Sequence, residues 1–223
     1  MIELTSLLVL ALALAGPLAV AQIGRSRGED AENLATNLLC QLLLAVLAMV
    51  SLWLMLDPLQ FSLGALGVGA PDLSTILWGA GMAAFFVFAL GPILLRLPHW
   101  LGLEGFEGTL SALARLPLWY LVLAVVVGGI VEEVLYRGVA LAILMSFGFE
   151  PLLAAALVVA VFGLAHIPMW GVGPALTTVI SGAFLTVFFL WHGDLLANII
   201  AHIATDLVGI ALGPFLSWVR GPR

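Results

Sequence analysis

Leu118-Trp-Tyr-Leu-Val-Leu-Ala-Val-Val-Val-Gly-Gly-Ile-Val131 is apolar enough to span a membrane, yet it runs straight into Glu132-Glu133-Val-Leu-Tyr-Arg137. A carboxylate in hydrocarbon costs several kcal/mol, and two neighbouring carboxylates also repel each other. Ionisable groups kept inside a spanning helix therefore mark a functional site. On a helix, Glu133 and Arg137 are four residues apart and face each other, while Glu132 points about 100° away. Glu133 is thus expected to be neutralised by Arg137. Glu132 is left facing another helix, partly desolvated, as suits a general base or acid.

The surrounding composition fixes the class. The chain has 223 residues, 63% hydrophobic and only 9% charged, with a mean hydropathy of +1.22. A soluble domain is nearer one quarter charged, so the expected fold is an all-α polytopic membrane protein. Seven apolar segments read as spans: 4–22, 34–56, 73–97, 118–146, 151–168, 172–191 and 195–218. They form a single transmembrane domain over residues 1–223 with a buried polar cavity, whose polar stripes all fall within 117–218. No internal repeat or low-complexity tail interrupts it, and nothing in it suits nucleic acid.

Lysine is absent, and arginine sets the orientation. Arg25 and Arg27 follow the first span, Arg96 and Arg115 bracket the loop after the third, and Arg220 and Arg223 follow the seventh. With seven spans these lie on one side, which the positive-inside rule makes cytoplasmic. The amino terminus is then outside and the carboxyl terminus inside. The arginine-only basic set also suggests a prokaryotic plasma membrane. The first segment carries Glu3 rather than a basic leader, so a retained helix is expected instead of a signal peptide. Residues 97–117 mix apolar and charged residues and read as a cytoplasmic interfacial segment anchored by Trp100 and Trp119. Cys40, the single cysteine, reads as a small core residue.

Two further polar stripes answer Glu132. Phe162-Gly-Leu-Ala-His166-Ile-Pro168 places His166 in a last helical turn closed by Pro168. Asn198, His202 and Asp206 recur at four-residue spacing on the last span, so one face carries all three. Asn198 and Asp206 are both expected to bond His202 and set its tautomer. Counting from the helix ends puts His166 on the order of 10 Å nearer the cytoplasm than Glu132 and His202. A bend at Gly128-Gly129, or tilt, would close that gap.

A glutamate and two histidines suit hydrolysis by activated water, with or without a metal that lowers the water's pKa. Other protease designs fit less well. The chain has no His-Glu-x-x-His motif, Ser181-Gly182 follows Val179-Ile180 rather than a Gly-x pair, and Asp194 follows Trp191-His-Gly rather than Gly-x-Gly. Two other classes remain open from the residues alone. Buried Glu, His and Asp also serve proton-coupled transport, and a non-catalytic immunity or binding protein could keep the same scaffold.

Glu132-Glu133-x-x-x-Arg137, then Phe162-x-x-x-His166, then His202-x-x-x-Asp206, resembles the motif series of the CAAX protease and bacteriocin-processing (CPBP, formerly Abi) family. The Ras-converting prenyl-protein endopeptidases belong to that family. The resemblance implies an intramembrane endopeptidase in which Glu132 and His166 activate water and His202 with Asp206 stabilises the oxyanion. Glu133 and Arg137 would complete the first motif. In eukaryotic relatives the last position is typically asparagine, and here it is Asp206. The family carries both a metalloprotease label and a metal-free glutamate mechanism. Zinc is thus the one cofactor to test, and the ligand set stays open. The implied substrate is a peptide or membrane-protein terminus, with lipidation optional.

Overall fold

The computed structural model describes residues 2–27 and 33–213. It is all-helical, with no strand among the described residues. Among the described residues eight helices follow one another: α1 (Ile2–Arg27), α2 (Leu34–Leu56), α3 (Leu73–Trp100), α4 (Glu107–Leu113), α5 (Leu118–Ser146), α6 (Pro151–Trp170), α7 (Val172–His192) and α8 (Leu195–Ala211). Six of them are long and apolar enough to cross a membrane, and α8 is a shorter apolar helix. The protein is therefore an integral membrane protein. The expected seventh span thus reaches Ala211 as a helix. Its positions 214–218, together with Arg220 and Arg223, lie outside the described residues.

Large apolar side chains such as Leu42, Met49, Trp53, Phe88 and Leu152 are exposed on the outside of the bundle. In water such a surface would be an aggregation liability, whereas lipid satisfies it. The packed centre is formed by α1, α2, α5 and α6 through Val9, Ala48, Leu135, Val139, Val158 and Phe162.

Helix α8 packs against α3 and α5. Apolar helices gain little from hydrophobic burial in lipid, so close approach depends on small residues. At Gly79 on α3 a Cβ would stand 2.8 Å from Ile200, and at Gly129 on α5 it would stand 2.7 Å from Ile203. Gly128 differs from its neighbour, because a Cβ there meets nothing within 4 Å. The backbone is α-helical through both glycines, which give close contact at Gly129 and a cavity wall at Gly128. The irregularity comes later, as a π-helical stretch from Glu133 to Ala140.

Two expectations need correction. Pro168 does not end the fifth span, because α6 continues to Trp170 and ends at Gly171, whose φ of +84° leaves the helix. Proline in the last turn removes one hydrogen bond and is tolerated there; the glycine makes the exit. The depth offset of His166 is also absent. α5 and α6 share the short turn between Ser146 and Pro151. Measured from that turn, Glu132 is 14 residues away and His166 is 15, and their side chains stand 3.8 Å apart. At the far end α5 extends well past α6, so counting from that end misplaced His166. There the 97–117 segment folds back across the bundle, with the Phe106 ring 6.0 Å from that of Trp170.

Gly129→Val should lower stability by about 1–3 kcal/mol by forcing α8 away from α5. Gly128→Ala should leave it nearly unchanged. Thermal unfolding in mild detergent compares the two directly.

Candidate active site

Glu133 occupies the centre of the polar constellation. It is fully buried, and three groups donate to it: Arg137 Nη1 (2.8 Å) and His202 Nδ1 (2.7 Å) to Oε1, and Asn198 Nδ2 (3.1 Å) to Oε2. Helices α5 and α8 are thereby joined through one carboxylate. A buried carboxylate is tolerable only when paired and hydrogen-bonded in this way.

Arg137 is only 1% exposed and is itself fully engaged. Its Nε donates to Thr186 Oγ1 (3.2 Å) and its Nη2 to the Gly182 carbonyl (3.1 Å), both on α7. Thr186 in turn donates to that same carbonyl. The guanidinium also lies over the Phe162 ring of α6, 4.6 Å from its centre. One cation thus ties α5 to α6 and α7.

Asn198 was expected on His202 but is found elsewhere. Its amide donates to Glu133 and to the Leu185 carbonyl (2.9 Å), so it holds the carboxylate and not the imidazole. The reason is reach: Glu133 lies between the two α8 side chains and accepts from both. The tautomer of His202 is accordingly set by Glu133, since a carboxylate can only accept from Nδ1. The same logic fixes His166, whose Nδ1 donates to the Phe162 carbonyl at 2.7 Å.

Both imidazoles therefore turn Nε2 toward Glu132. His166 Nε2 is 3.8 Å from Glu132 Oε1, and His202 Nε2 is 3.6 Å from Oε2. Asp206 Oδ2 stands 3.4 Å from the same His202 nitrogen. Unlike the Glu133 centre, this outer layer is partly open, with Glu132 23% and Asp206 30% exposed at the side chain. It forms part of the wall of a cavity of ≈ 350 Å³. All six expected site residues fall in one place: Glu132, His166, His202 and Asp206 on the cavity, and Glu133 and Arg137 behind them.

Metal binding was tested on the same geometry. Among the described residues no group of three His, Cys, Asp or Glu side chains is arranged to hold a metal ion. His166 Nε2 and His202 Nε2 stand 3.8 and 3.6 Å from the two Glu132 oxygens. No step below passes through a metal.

Thr186 and the carbonyls of Gly182 and Leu185 were not foreseen from sequence. A signal existed, since Thr178, Gly182 and Thr186 recur every four residues on apolar α7, the small-residue pattern of a helix interface. Arg137→Leu should cost about 3–5 kcal/mol, because it leaves Glu133 buried and uncompensated. Thermal unfolding of the purified variant checks this, and failure to accumulate as a folded protein is the extreme form of the same outcome.

No curated protein and no solved structure matches the chain. Residues 114–208, which hold all six site residues, match the family model of type II CAAX prenyl endopeptidase Rce1-like proteins, the family that the motif series resembles.

Proposed function

We propose that the protein is an intramembrane endopeptidase that hydrolyses a peptide bond with water activated by Glu132. The observation that carries this reading is the Glu132 carboxylate, faced by the Nε2 atoms of two imidazoles inside a cavity. The family match over residues 114–208 supports the protease class.

The chemistry follows from which atoms face the cavity. A water between Glu132 and His166 donates one proton to the Glu132 carboxylate and its other hydrogen bond to His166 Nε2, which orients it. The oxygen attacks the scissile carbonyl carbon. With a proton on Nε2, His202 donates to the resulting oxyanion, and the Asp206 carboxylate, 3.4 Å from that nitrogen, helps to hold the ring in place. Asp206 needs no proton of its own in this arrangement; it acts through His202. Collapse breaks the C–N bond, and the proton taken by Glu132 passes to the leaving amine.

Glu133 and Arg137 have a positioning role. They hold His202 and α8 against α5 while remaining out of reach of substrate, as their burial requires. The substrate is a peptide or a membrane-protein terminus that enters from lipid or from the α4 side, which we place in the cytoplasm. Transport is less well supported, because the polar groups end in one cavity and pair with one another.

Glu132→Gln should lower cleavage of a quenched peptide library, prenylated and plain, by at least about 10²-fold with no loss of folding. Activity of the parent should survive chelator; loss that zinc restores would replace the metal-free mechanism. Cleavage unchanged in Glu132→Gln would remove Glu132 from the reaction.

A further inference from the structure

A glycine inside a spanning helix either lets a second helix approach or leaves a space unfilled. Gly79, Gly129, Gly163 and Gly182 do the first, because a Cβ at any of them would stand closer than 3.0 Å to a side chain of the facing helix. Gly128 does the second. A Cβ there meets nothing within 4 Å, and the residue is half-buried in the wall of the cavity that holds Glu132. Glycine is a poor helix former, and packing gives no reason for one at this position. The cavity does.

Helix α5 is regular from Leu118 to Glu132, so the surface neighbours of Gly128 lie three and four residues away: Ala124, Val125, Val131 and Glu132. All four line the same cavity. The missing side chain thus leaves a hollow whose rim is apolar except for one carboxylate. Side chains on a helix lean toward its amino-terminal end, so Glu132, about 6 Å further along α5, leans back toward the hollow. An extended chain advances about 3.3 Å per residue, which puts the hollow within two residues of a carbonyl attacked beside Glu132. Polar side chains find no partner on Ala124, Val125 or Val131. A cation would pair with the very carboxylate that must take the proton from water. An aliphatic side chain fits both constraints.

We propose that the hollow over Gly128 is a substrate pocket for a leucine-sized aliphatic side chain beside the cleaved bond, and that Gly128 sets this preference. The proposal rests on the peptidase reading, because the cleaved bond is placed by Glu132. A larger residue at 128 fills the pocket from the protein side. It meets no neighbour in doing so, which separates its effect on substrate from any effect on folding.

The test uses the full chain in mild detergent and two quenched decapeptides, one of alanine alone and one with a single central leucine. Mass spectrometry locates the cut. The parent should cleave beside the leucine about tenfold faster than it cleaves the all-alanine peptide. Gly128→Leu should remove that preference by slowing the leucine peptide alone, and Gly128→Ala should fall between the two and serves if Gly128→Leu does not fold. Equal slowing of both peptides would make Gly128 a support for Glu132 and overturn the pocket, as would an unchanged preference. Binding of both peptides is measured on Glu132→Gln protein with and without Gly128→Leu. A leucine preference in binding that Gly128→Leu removes, without cleavage by the parent, keeps the pocket and overturns the peptidase reading. Cleavage with a preference that Gly128→Leu leaves untouched does the reverse. Neither binding nor cleavage overturns both.

Discussion

The buried negative charge of Glu133 constrains everything around it. In the middle of an apolar bundle that charge is permissible only if every oxygen is satisfied and a cation lies beside it. Arg137, Asn198 and His202 meet those requirements from two helices, and Arg137 passes the obligation on to α6 and α7. Four helices are thus fixed relative to one another by a single ion pair and its partners. Packing alone could not specify this arrangement so tightly, because apolar side chains fit lipid nearly as well as each other.

The same network separates two glutamates that are adjacent in sequence. Glu133 is consumed by structure, whereas Glu132, one residue earlier, keeps its oxygens free for the cavity. That separation is the basis of the proposed chemistry. His202 connects the layers, since one ring nitrogen is held by Glu133 and the other is presented to Glu132 and Asp206. His166 repeats the pattern with a backbone carbonyl in place of the carboxylate. Both imidazoles are oriented before any substrate arrives, so their alignment costs nothing during the reaction.

The π-helical stretches add a local feature that periodicity does not reveal. Of the three among the described residues, one begins at Glu133 and another at Leu207, immediately after the site residues Glu132 and Asp206, and the third is Phe86–Leu90 of α3. Wider turns of this kind are frequent at functional sites, where they re-aim side chains at little cost in hydrogen bonds. Here they alter the phase of α5 and α8 just beyond Glu132 and Asp206, while Tyr136, Gly209 and Ile210 within them still line the cavity.

Much of this was legible in the residues. Hydropathy alone gives the helices, because lipid admits only helices and closed barrels and these apolar runs are too long for barrel strands, and α2 and α5 occupy the very stretches read as spans. The six polar positions were also visible, since a charge in an apolar run stands out whatever the fold. Their connections were not. The preference of Asn198 for Glu133 over His202, the part played by Thr186 and Gly182, and the common depth of Glu132 and His166 all depend on how helices are tilted and offset. Local composition determines which segments enter the membrane and which groups must be paired there. Only the tertiary structure decides which partner each one finds, because that choice is made by distances between helices far apart in the chain.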